Sequence, residues 1–129
     1  MWLYIKEGFY SIVHKPPCAE DELMVRVRCR RDVDKLQKML RAEYAFSGDV
    51  IESPDADYAY RMIVPRKTLA TFLANVAMVM DYDNFKKTIG RLDYRRREAY
   101  LRCYDAMYEW QRDIKRGQKS SLTVRPLKG

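Results

Sequence analysis

Leu23-Met24-Val25-Arg26-Val27-Arg28-Cys29-Arg30-Arg31 is the stretch on which the reading of this chain turns. Its period is two. Leu23, Val25, Val27 and Cys29 fall on one side, and Met24, Arg26, Arg28 and Arg30 on the other. Such alternation predicts a β-strand with one apolar and one cationic face. The apolar face calls for a covering layer. The guanidinium groups either stay in water or meet an anionic partner.

Working outward, Phe9 to Lys15 is rich in aromatic and β-branched residues and reads as a strand. Pro16 to Glu22 is a polar connection, so this strand and the arginine strand form an antiparallel hairpin. Trp2 to Ile5 is a further short apolar run, interrupted at Gly8. On the other side, Asp32 is placed to cap a helix over Val33, Leu36, Met39 and Leu40. Val50-Ile51-Glu52 reads as a short strand, Ser53 to Asp57 as a turn, and Tyr58 to Val64 as another strand. Tyr58, Tyr60, Met62 and Val64 share one of its faces; Ala59, Arg61 and Ile63 share the other. Pro65 ends it. A second helix then carries Leu69, Phe72, Leu73, Val76, Val79 and Met80 on a broad apolar face.

Asp81 to Asn84 reads as a linker or cap before a helical turn through Phe85 and Ile89, which Gly90 ends. The last helix begins near Arg95, and Tyr100, Cys103, Tyr104, Met107, Trp110 and Ile114 are expected as its buried stripe. This order predicts an α+β domain: a small antiparallel sheet with helices packed on one face, a long C-terminal helix and a basic tail. The expected division is a single domain over 1–116 and a mobile basic tail over 117–129. The sheet face away from the helices would be exposed, and the arginine stripe would occupy it.

The chain of 129 residues is 47% hydrophobic and 33% charged, a globular rather than a disordered composition. A net charge of +7 favours acidic partners, nucleic acid first among them. Cys18, Cys29 and Cys103 are odd in number and lack C-x-x-C spacing, which points to free thiols and a reducing compartment. The N-terminus has no basic n-region followed by a long apolar run, and Ala70 to Met80 is too short to span a bilayer. The expectation is a cytoplasmic protein with no membrane contact.

Three segments are familiar in combination: Gly8-Phe9-Tyr10-Ser11-Ile12-Val13, Asp57-Tyr58-Ala59-Tyr60-Arg61, and Asp81-Tyr82-Asp83-Asn84-Phe85-Lys86. Together they resemble the boxes of a family of short uncharacterised bacterial proteins. The resemblance extends to about Trp110. It implies a bacterial or mobile-element protein and brings with it no activity, cofactor or catalytic residue.

Among candidate sites, Arg26, Arg28 and Arg30, joined by Arg61 from a neighbouring strand, suit phosphate because the planar guanidinium fork makes bidentate bonds to its oxygens. Tyr10 is a candidate to stack a base on the same sheet. Arg95, Arg96 and Arg97 form a second anion-binding candidate at a helix start, where the macrodipole disfavours cations and a bound anion would offset that cost. Tyr100, Tyr104 and Tyr108 recur every four residues and share one helix face, a candidate protein interface or homodimer contact. Asp55, Asp57, Asp81 and Asp83 form two D-x-D pairs that would suit a divalent metal, although Asp is commoner in such places as a turn residue. His14 is the only histidine, which excludes a multi-histidine zinc site, and there is no glycine-rich phosphate loop or G-x-S-x-G.

The sequence therefore points first to a non-catalytic binding module for an acidic macromolecule, nucleic acid or protein, with no cofactor, no catalytic residue and no metal ligand assigned. An interaction or inhibitor protein acting through the tyrosine helix is the alternative. A metal-dependent phosphodiesterase using the loop aspartates is the second alternative.

Overall fold

The arginine strand is shorter than its alternation suggests. In the computed structural model, which describes residues 1–123 and their side chains through residue 119, β3 (Glu22–Val27) ends before Arg28, and α1 (Arg30–Tyr44) starts three residues later. Cys29 is extended (φ −129°, ψ 151°) and stands at the N-cap without a side-chain cap bond. The reason lies in the change of period. Val33, Leu36 and Leu40 are fully buried at three-and-four spacing, and a strand continued past Arg28 could not place them on one face. Arg28 and Arg30 therefore leave the stripe. Asp32 is not the cap but a buried residue of the first helical turn, and its carboxylate accepts the Phe9 amide at 3.2 Å.

β3 lies at the centre of a five-stranded sheet ordered β1-β2-β3-β5-β4, comprising β1 (Trp2–Ile5), β2 (Gly8–Val13), β4 (Ile51–Glu52) and β5 (Tyr60–Pro65) besides itself. All neighbouring strands are antiparallel, as the hairpin reading requires. α1 and α2 (Arg66–Met78) pack against one face. The core between them includes Tyr10, Ile12, Val25, Val27, Leu36 and Met62. The α+β class and the helices on one sheet face are thus as expected. Of the broad α2 face, Leu69 and Phe72 are buried, whereas Val79 and Met80 fall beyond the helix end and are exposed.

Where the sequence reading has one domain over 1–116, the chain divides into two compact units, Met1–Asp81 and a second opening at Tyr82. In the second, Asn84 caps α3 (Phe85–Ile89) by accepting the Lys87 amide, and Phe85 packs 6.1 Å from Tyr100 of α4 (Tyr94–Thr123). α4 continues through the first seven residues of the expected tail; residues 124–129 lie outside the described part. A helix of 30 residues is about 45 Å long, and the five residues of α3 cover only a small part of it. The expected buried stripe is therefore buried only at Tyr100, while Tyr104, Met107, Trp110 and Ile114 are exposed.

Candidate nucleic-acid interface on the sheet

The register across the sheet sets Trp2 opposite Ser11, Ser11 opposite Arg26, and Arg26 opposite Arg61. Directly paired residues of antiparallel strands point to the same side. The face away from α1 and α2 therefore carries a row in which two arginines stand side by side at the centre. Like charges directly opposite each other destabilise a sheet. No ion pair to Arg26 or Arg61 offsets this among the described residues.

Their partners are neutral. Arg26 Nη2 donates to Ser11 Oγ at 2.8 Å, and its guanidinium lies 4.6 Å from the centre of the Tyr58 ring. Arg28 reaches the same ring at 4.2 Å and donates to the Asp57 carbonyl at 2.8 Å. Tyr58 is thus a buried aromatic seat shared by two cations, which cation–π attraction favours. The Nε atoms of Arg26 and Arg61 are shielded from solvent and have no hydrogen-bond partner. A shielded donor on a charged group without an acceptor is costly. An oxyanion settling between the two guanidiniums would relieve both the repulsion and the missing bonds.

Arg30 belongs elsewhere. It pairs with Asp34 at 3.0 Å and Glu52 at 3.6 Å, so much of its charge is answered within the chain. Tyr10 points into the core, 1% exposed and edge-on to Phe72, because it pairs with Leu3 on the helix-covered face. It cannot stack a base there. The aromatic groups on the arginine side are Trp2, 68% exposed, and the stacked pair Tyr4 and Phe9 with ring centres 4.6 Å apart. The alternation Trp2, Tyr4 and Phe9, Ser11, Val13 held the signal for them, but only the register of β1 on β2 puts these residues on the arginine face.

Arg95, Arg96 and Arg97 do start a helix, but its N-terminus is already served. Asp93 accepts the Arg96 amide at 2.9 Å and faces the Arg96 guanidinium at 3.8 Å. Arg96 also donates to the Tyr100 hydroxyl, and Arg97 lies near Glu98 and over Tyr94. Arg95 is exposed. The three tyrosines separate: Tyr100 is buried, whereas Tyr104 and Tyr108 are 50% and 51% exposed and stack on each other at 6.4 Å.

Asp57 accepts the amide of Tyr58, and among the described residues no three His, Cys, Asp or Glu side chains form a group that could hold a metal ion. His14 is exposed, with Nε2 3.1 Å from the Ala19 carbonyl. All three cysteines are free thiols. No helix among the described residues is long and apolar enough to cross a membrane. No family model, curated protein or solved structure matches the chain.

Proposed function

We propose that this protein is a non-catalytic binding module that takes single-stranded nucleic acid at the arginines of the sheet face turned away from α1 and α2. The observation that carries this reading is the cross-strand pair Arg26 and Arg61, with no carboxylate to answer it among the described residues and an Nε on each without a hydrogen-bond partner among them. Aromatic rings at one end of a sheet row and arginines at its centre match what a single strand offers, since every base has a π-face and every link a phosphate. Trp2 stacks a base, Arg26 and Arg61 clasp a phosphate, and Arg28 on Tyr58 extends the cationic ground. The free thiols favour a reducing compartment, the cytoplasm. The resemblance of the three sequence boxes adds a bacterial or mobile-element origin to the proposal.

Fluorescence anisotropy with labelled single-stranded and duplex DNA and RNA, at two or more salt concentrations, tests it. The wild type should prefer single strands and bind more weakly as salt rises. The double variant Arg26→Gln, Arg61→Gln should flatten the log–log salt slope by about 0.7, the contribution of one phosphate on a single strand. Salt-insensitive binding, or none, by the wild type overturns the reading.

A further inference from the structure

Arg26, Arg28 and Arg61 gather about one residue. The guanidiniums of Arg26 and Arg28 lie 4.6 and 4.2 Å from the centre of the Tyr58 ring, and Arg61 Nη2 donates to the Tyr58 carbonyl at 3.4 Å. Every group that holds them is neutral: the ring, the Ser11 hydroxyl and the carbonyls of Asp57 and Tyr58. Among the described residues no carboxylate pairs with any of the three, and the Nε atoms of Arg26 and Arg61 are shielded and without a partner. The ground beside the pair is also enclosed. Ser11, opposite Arg26 on β2, is 0% exposed, and Met24, two residues before Arg26 on the same side of β3, is 1% exposed. Tyr58 is 4% exposed.

Charge and space both bear on which phosphate fits there. A phosphate inside a strand carries one negative charge and is joined to a sugar on either side. It needs one open path in and another out. A terminal phosphate monoester is joined to a single sugar, carries about −1.5 to −2 charge at neutral pH and presents three acceptor oxygens. Arginine forks take phosphate oxygens in bidentate fashion, so two adjacent forks suit the group with the more free oxygens. One internal phosphate would answer one of the three cations, whereas a terminal phosphate answers nearly two. We infer that Arg26 and Arg61 take the terminal phosphate monoester of a single strand, with Arg28 adding to the field that holds it. The inference rests on the nucleic-acid reading above and narrows it from any phosphate of the strand to its end.

The test is fluorescence anisotropy of the full chain with single-stranded oligonucleotides of one sequence, labelled on an internal base. They bear a 5′-phosphate, a 3′-phosphate, either phosphate capped with a methyl group, or hydroxyls at both ends. The strand with the matching terminal phosphate should bind at least about tenfold tighter than the hydroxyl-ended strand, as one further charge-assisted bond allows. The 5′ and 3′ arms tell which end is taken. The methyl cap removes one charge and one free oxygen and should remove most of the advantage. In the double variant Arg26→Gln, Arg61→Gln the advantage should vanish, with circular dichroism to show that the fold persists. The comparison of oligonucleotides on the wild type decides the matter even if the variant does not fold. Equal binding of all the oligonucleotides by the wild type, an advantage unchanged by the cap, or one retained in the folded double variant overturns the inference. Equal binding that weakens as salt rises leaves the strand reading intact, whereas no binding at all overturns both.

Discussion

Ala45 ends α1 with φ 51°, the left-handed region that suits glycine. The Phe46 amide closes the helix on the Leu40 carbonyl at 3.1 Å, so the chain must turn there whatever the residue. Ala45→Gly is therefore expected to raise stability by about 0.5–1 kcal/mol, read from urea unfolding; a loss would show that the turn is unstrained. Gly8 is the converse case. A Cβ at this position would stand 3.0 Å from the Asp32 carboxylate and 3.2 Å from the Tyr10 ring. Both neighbours are buried, and Asp32 is tied to the Phe9 amide. Gly8→Ala should cost about 1–3 kcal/mol by crowding, and an unchanged urea midpoint would contradict that.

At the scale of elements, β1 and the β3–β5 pair divide the sheet face between an aromatic and a cationic part. The two can be separated by measurement. Trp2→Ala should lower single-strand affinity by about 1–3 kcal/mol if one base stacks there, with the salt slope preserved. The arginine variants should change the slope. A Trp2→Ala protein that binds as tightly as wild type would remove stacking from the reading and leave the arginines alone. Within the helix layer, Leu36 is fully buried in the core under the sheet, and Leu36→Ala should cost about 2–5 kcal/mol.

Charge is unevenly spread over the whole molecule. Residues 1–81 carry twelve basic and twelve acidic side chains, and residues 82–129 carry thirteen and six, so the entire excess of +7 lies in the second unit. The sheet unit is neutral overall and holds its cations locally, so the net positive field of the chain comes from the other unit. A fragment of residues 1–81 has its own sheet, helices and core and should unfold cooperatively by itself. It should bind single strands at least tenfold more weakly than the full chain, with a flatter salt slope. Failure of the fragment to unfold cooperatively would show that the first unit depends on the second.

The period-two run at Leu23 was enough to place a strand with an apolar side, and the three-and-four spacing of Val33, Leu36 and Leu40 was enough to place a helix after it, because both periodicities are local consequences of backbone geometry. The class of the fold followed from their order. What local patterning could not carry was how far each element runs and what lies opposite it. Arg28 and Arg30 fit the strand alternation equally well, yet burial of α1 against the sheet ended the strand at Val27. Tyr10 looked like a surface aromatic until its pairing with Leu3 put it in the core, and the same register brought Trp2, Tyr4 and Phe9 to the arginine side. Arg61 lies 35 residues from Arg26 in sequence, and only the crossover that seats β5 beside β3 makes them neighbours. Likewise, the stripe on α4 was legible as apolar, but its exposure depends on a cover, and α3 is too short to supply one. Side-chain periodicity is a property of one segment, whereas burial and charge pairing belong to two, and their outcome is decided where the segments meet.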